Sequence, residues 1–394
     1  MKRYRWVIVP LVVLALLLAS TGIALADGNE SVVSVQKYDR AIHIMAMLLV
    51  GFGFLMVFVR RYGRSALTAT FLLVSVAIPL YITIDSAGIF GDKTGIEVDR
   101  LILAEFAAAS LLICAGACLG RLKMFQYMML GLLFIPAYRI NEWLVLKNGA
   151  GLIDAGKVVD TGGSIVIHAF GALFGLGVIL TMTTRKEFDT PIESDATSDR
   201  YSMLGSMVLW VFWPSFCAAL VAPELVPFTA VNVILALCGS TLATYFASVS
   251  FRHKKISIAD MANAALAGGV AIGATCDTAS HPTAFLIGIM AGTLSTIGFA
   301  VIQSRLQGKL KAIDTCGVTN LHGLPGLMGG VAAIFVVDGI SAGDQLAGIG
   351  LTIAIALASG YVVGLVISAF GRRVEPYEDA EEFLDAEAPL KISA

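Results

Sequence analysis

Apolar residues in this chain gather in blocks of about twenty separated by short polar stretches. That is the length a helix needs to cross a hydrocarbon core roughly 30 Å thick. Beyond an N-terminal block, eleven such segments follow, at approximately 38–60, 66–88, 101–120, 124–146, 160–184, 202–222, 227–250, 259–276, 282–303, 315–337 and 343–371. The pattern predicts an all-α polytopic membrane protein with eleven transmembrane helices. The N-terminal block differs from the rest: Lys2, Arg3 and Arg5 precede an apolar run from Val7 to Leu18, and Ala24-Leu25-Ala26 follows. A basic start, an apolar middle and a small-x-small end form a secretory signal peptide, so residues 1–26 are expected to be cleaved. Residues 27–373 would form the eleven-helix domain, with repeat halves at about 38–184 and 202–337. Residues 374–394 would be a mobile acidic tail, carrying Glu375, Glu378, Asp379, Glu381, Glu382, Asp385 and Glu387.

Composition agrees with a membrane location. The chain of 394 residues is 57% hydrophobic and 14% charged, with a mean hydropathy of +0.82, against about a quarter charged in soluble domains. A net charge of −2 leaves no basic surface for a nucleic-acid partner. The loops after odd-numbered spans hold sixteen Lys and Arg residues, among them Arg121, Arg185, Arg252 and Arg373, and the opposite loops hold six. Basic residues favour the cytoplasmic side, which places the N-terminus outside and the C-terminus in the cytoplasm of the cell (inner or plasma) membrane.

An internal repeat locates the functional centre. The stretch from Asp160 to Gly175 and that from Asp314 to Gly329 both read D-T-x-G-x4-H-x4-L-x-G, and they open the fifth and tenth spans. Five spans per half is an odd number, so the second half inserts upside down relative to the first, the arrangement of transporters whose site lies between repeats near mid-membrane. Eight residues of helix rise about 12 Å, so His168 and His322, entering from opposite faces, are expected to meet near the middle. Asp160 and Asp314 are too far along their helices to reach the histidine on the same helix. Their expected task is to accept backbone N–H groups at the helix N-termini. Ionisable residues inside a membrane are rare and mark a pathway, and two at equivalent positions strengthen that reading. His43, His253 and His281 lie near ends and turns and read as structural. Pro325 predicts a kink in span 10, and Arg139, deep in span 4, is expected to be neutralised by Glu142 one turn on.

Other chemistries lack their residues. No HExxH suggests a zinc protease and no serine carries a partnered base, so the chain is not expected to be an enzyme. The six cysteines show no metal-ligand spacing, and neither a metal nor a cofactor is expected. A haem held by His43, His168 or His322 is the remaining cofactor alternative, and a Soret band would reveal it.

The run Asp314-Thr-Cys-Gly-Val-Thr-Asn-Leu-His-Gly-Leu-Pro-Gly resembles the signature of the Rh (Rhesus) branch of the ammonium transporter superfamily. The stretches Gly162–Gly171, Trp213–Phe216 and Ala262–Gly273, together with Asn141-Glu142 and Ala104-Glu-Phe106, are similar to that family too. The similarity runs from about Tyr38 to Arg373. It implies a homotrimer of eleven-helix protomers, each with its own pore. It maps twin pore histidines onto His168 and His322, two gating phenylalanines onto Phe106 and Phe216, and a conserved acid onto Asp160. The implied cargo is ammonia or ammonium, with methylamine or carbon dioxide as alternatives, and electrogenic transport or sensing as other modes. The chain departs from the family at Cys217, where Asn is usual, and at Glu105, where Asp is common. The loop from Lys147 to Lys157 is longer than usual.

Such a pore would work by desolvation. Stripping water from a unit charge costs far more than stripping it from a small amine, so a dry passage rejects Na⁺ and K⁺. Glu105 and Glu142, with Asp85, are expected to gather ammonium in an outer vestibule, and Phe106 and Phe216 to close it off. Two buried neutral imidazoles would then offer ammonia both a donor and an acceptor.

Overall fold

The structure is a computed structural model that describes residues 31–59, 62–91 and 93–384. The expected signal segment, Arg60, Arg61 and the last tail residues, including Asp385 and Glu387, lie outside the described residues. Among the described residues there is no strand, and ten helices are long and apolar enough to cross a membrane. In chain order the spans are α1 (Ser31–Phe58), α2 (Gly63–Ala87), α3 (Glu97–Cys118), α4 (Met124–Leu146), α5 (Ser164–Met182), α6 (Ala196–Cys217), α7 (Val226–Phe251), α8 (Ile258–Thr275), α9 (His281–Leu310), α10 (Thr319–Val336) and α11 (Ala342–Ser368). Helix α6 is the eleventh. Its first turn is polar, with the Asp195 carboxylate capping it by accepting N–H from Thr197 at 2.9 Å and Ser198 at 2.8 Å.

The helices overrun the apolar blocks where polar partners support their ends. Helix α1 begins at Ser31, about two turns before the apolar block, because Lys37 reaches Asp99 on α3 at 2.7 Å. Helix α9 continues to Leu310, where Gln303 and Gln307 both donate to the Asp314 carbonyl at 3.2 Å.

Without a hydrophobic driving force between helices in lipid, close packing needs small residues. A Cβ placed on Gly288 of α9 would lie 2.0 Å from the Ala236 carbonyl oxygen on α7, and one on Gly360 of α11 would lie 2.2 Å from that of Phe174 on α5. Glycines at these crossings therefore serve backbone-to-backbone packing.

The described part of the acidic tail is a strap, which corrects the expectation of a mobile segment. Its carboxylates accept N–H groups at the starts of two helices. Asp379 accepts N–H from Arg64 at 2.8 Å and Ser65 at 3.0 Å at the start of α2, and Glu382 accepts from Met124 at 3.2 Å at the start of α4. The Tyr377 N–H donates to the Gly120 carbonyl at 3.0 Å, its ring is buried, and the Arg373 guanidinium lies over it at 4.8 Å. Lys186 and Glu375 form an ion pair, which holds the Glu375 carboxyl below its ordinary range. The negative charges sit where the helix dipoles favour them, a pairing that the sequence pattern does not reveal.

Candidate functional site

The repeated D-T-x-G motif folds into the same device twice. Gly163 and Gly317 adopt left-handed φ values of +76° and +66°, a conformation that other residues reach only at a cost. Each closes a turn by donating to the carbonyl of Asp160 (3.0 Å) or Asp314 (3.2 Å). The chain then enters a π-helical turn, Ser164–Ala169 in α5 and Thr319–Gly323 in α10. Such turns often mark functional sites. They appear in both repeats although only α10 carries a proline, so Pro325 is not their common cause.

The aspartates serve the helix ends. Asp160 accepts N–H from Ile165 at 3.0 Å and Val166 at 2.8 Å. Asp314 accepts from Val318 at 3.0 Å and Thr319 at 2.8 Å. Each turn also hooks onto the opposite half. The Gly162 N–H donates to the Gly273 carbonyl in the last turn of α8 at 2.7 Å, and those of Thr315 and Cys316 donate to the carbonyls of Ala117 and Gly116 on α3 at 3.2 Å each.

This crossed docking brings His168 and His322 together. Their Nδ1 atoms are 3.2 Å apart and their rings are nearly parallel, with centroids at 5.2 Å and 9° between planes. Both side chains are buried, and His168 Nε2 has no hydrogen-bond partner among the described residues. A shared Nδ1 proton requires one ring to donate and the other to accept, so the two rings cannot both be imidazolium. Gly326 makes the approach possible: a Cβ there would lie 2.4 Å from the Ser164 carbonyl oxygen. Gly326→Ala is expected to destabilise the protein by about 1–3 kcal/mol and to loosen the histidine contact. The unfolding midpoint in detergent checks the first effect, and imidazole NMR shifts check the second.

Aromatic rings flank the pair on both sides. Phe106 and Phe216 touch, with centroids 4.6 Å apart, and Phe216 lies 6.0 Å from His168. Trp213 stacks on His168 at 5.5 Å and 21°. On the other side Phe52 of α1 lies 6.2 Å from His322. Sequence reasoning assigned no role to Phe52 or Trp213. Because α1 and α6 are equivalent in the repeat, applying the pseudo-two-fold to Phe216 would have pointed to α1.

Above the phenylalanine pair, at the end where α5 begins, a pocket of about 460 Å³ opens between Phe106, Tyr138, Glu142, Asp160, Thr161 and Asp277. Two of the expected vestibule acids are elsewhere. Glu105 is 1% exposed and does not line the pocket; neighbours in a helix point about 100° apart, and Phe106 takes the pocket side. Asp85 is also 1% exposed. It lies 3.1 Å from Arg100 and 3.3 Å from Arg139. Glu142 does line the pocket and pairs with Arg139 as expected, while the Tyr81 hydroxyl donates to it at 3.0 Å. The structural readings of His43 and His281 have partners too: His43 bonds the Ser215 hydroxyl at 2.9 Å and His281 the Asn232 side-chain carbonyl at 2.7 Å.

An all-helical, multi-pass bundle with crossed repeats and paired imidazoles between them has the architecture of a membrane transport protein. Its sequence matches the Ammonium Transporter Family over residues 7–387. It is 37% identical over 351 residues to ammonium transporter Rh type A of Bos taurus, covering 86% of this chain and 80% of that protein. It is likewise 37% identical over 308 residues to Rh type B of Homo sapiens, covering 76% and 66%. The solved structure of Nitrosomonas europaea Rh50, described as one of the Rhesus protein family of channels, superimposes with a TM-score of 0.88 at 56% identity over 91% of this chain and 94% of that one. Mep2 of Candida albicans shares the fold, with a TM-score of 0.74 at 17% identity over 86% and 84%. The chain belongs to the Rh branch of the ammonium transporter family.

Proposed function

We propose that the protein conducts neutral ammonia through a passage running from the pocket, between Phe106 and Phe216, past His168 and His322. The facing imidazoles carry this reading. With one Nδ1–H shared between them, one Nε2 is a bare acceptor and the other an N–H donor, so ammonia stripped of water meets both kinds of partner. Ammonium arriving at the mouth gives its proton to bulk water there, because a bare charge in a dry passage is far costlier than a neutral amine.

In this reading the end where α5 begins faces outside, in line with the bias of basic loops, and the protein sits in the cell membrane as a homotrimer with one pore per protomer. The test is uptake by proteoliposomes under an imposed voltage. Alkalinisation of the interior independent of voltage is expected, and a steady current proportional to ammonium would overturn electroneutral passage. Methylamine and carbon dioxide, offered to the same vesicles, define the cargo range.

A further inference from the structure

We infer that Asp277 is the carboxylate that gathers ammonium at the mouth of the pore and so sets the apparent affinity of uptake. This rests on the channel reading above and names the residue that serves it.

The argument is one of charge compensation. Three carboxylates line the pocket, Glu142, Asp160 and Asp277, and the two others expected there, Glu105 and Asp85, do not. Glu105 is sealed inside the helices away from the pocket. Asp85 is shared between Arg100 and Arg139. Glu142 is held by Arg139 and Tyr81. Asp160 is directed inward, onto the N–H groups of Ile165 and Val166.

Asp277, just beyond the end of α8, differs from all four. It lines the pocket, is only half-buried, and has no cationic partner among the described residues. Both of its oxygens lie 3.1 Å from the Thr161 hydroxyl, one residue past Asp160 on the turn that opens α5. That single donor orients the carboxylate without neutralising it and leaves lone pairs free for a cation. The pocket therefore holds a half-buried carboxylate that neither a cation nor backbone N–H groups occupy, beside the turn that leads to His168.

A carboxylate attracts any small cation, so Asp277 collects and does not select; the phenylalanine pair and the dry passage below it select. A unit charge at contact distance in water enriches an opposite charge by about fivefold, and salt screens that attraction, with a Debye length of roughly 30 Å at 0.01 M and 3 Å at 1 M.

The experiment compares wild type, Asp277→Asn and Asp277→Glu in proteoliposomes, reading ammonium-dependent uptake at roughly 0.01 M and 1 M salt. The Asn variant should raise the half-saturating ammonium concentration about fivefold at low salt, leave the maximal rate within about twofold, and lose its difference from wild type at high salt. The Glu variant should behave as wild type. An Asn variant with wild-type half-saturation at low salt overturns the inference, as does a shift that persists at high salt. Should the Asn variant not reconstitute, wild type alone decides, because its half-saturation must rise with salt and a salt-independent value refutes the role. Wild-type uptake no faster than that of empty vesicles overturns the channel reading and this inference with it. Normal wild-type uptake with an unchanged Asn variant overturns this inference alone.

Discussion

Replacing both His168 and His322 with leucine is expected to cut ammonia uptake by about 10- to 100-fold while leaving a folded protein. On the proposed pathway the imidazoles are ammonia's hydrogen-bond partners, and forgoing one buried hydrogen bond costs about 1–3 kcal/mol, which is that range of rates at the barrier. Stability should follow a different order. A single His168→Leu leaves the His322 Nδ1 without the partner it has at 3.2 Å, so a buried polar atom is orphaned. The double variant removes both ends of the bond and should lose less stability than the two single changes together. Stopped-flow uptake and unfolding in mixed micelles read the two effects separately. Uptake by the double variant equal to wild type would remove the histidines from the pathway.

Arg139→Met is expected to cost about 3–5 kcal/mol of stability, the usual penalty for breaking a buried charge pair by removing one partner. Arg139 is 2% exposed, donates to the Tyr81 hydroxyl at 2.7 Å and lies over the Tyr81 ring at 4.6 Å. Without it Glu142 keeps only that hydroxyl, while Asp85 retains Arg100 at 3.1 Å. The loss should therefore concentrate on Glu142. Arg139→Met combined with Glu142→Gln should recover part of it, because the uncompensated charge is then gone. A double variant no more stable than Arg139→Met would show that Glu142 is not the residue left exposed to the penalty.

Much of the architecture was legible without coordinates because the bilayer imposes a strong rule: every span must satisfy its own backbone. Apolar blocks of helical length counted the spans, and an odd number of them per repeat required the two halves to be inverted. The spacing from Asp160 to His168, repeated from Asp314 to His322, was enough to bring two imidazoles to the same depth from opposite faces. Arg139 and Glu142, one turn apart, could be paired from spacing alone.

What failed to show in the sequence depends on side-chain direction and on contacts between distant segments. Glu105 and Phe106 are neighbours in the chain, yet the helix turns one inward to bury it and the other onto the pocket. The tail looked like solvated acid because nothing in its pattern says that Asp379 and Glu382 complete the first turns of α2 and α4. Asp277 carried no motif at all; its significance comes from Arg139, which holds Glu142, and from the backbone N–H groups that hold Asp160, so that it alone of the pocket acids is left to a single hydroxyl.

The sequence by itself determined the number of spans, their inverted pairing and the meeting of the two histidines, since hydropathy and helical rise are local quantities that add along the chain. Tertiary structure alone decided which acid faces the mouth, which rings flank the imidazoles and where the strap docks. Those outcomes depend on the rotation of each helix about its axis and on how closely glycine lets the backbones approach, and both are settled only when all the helices pack together.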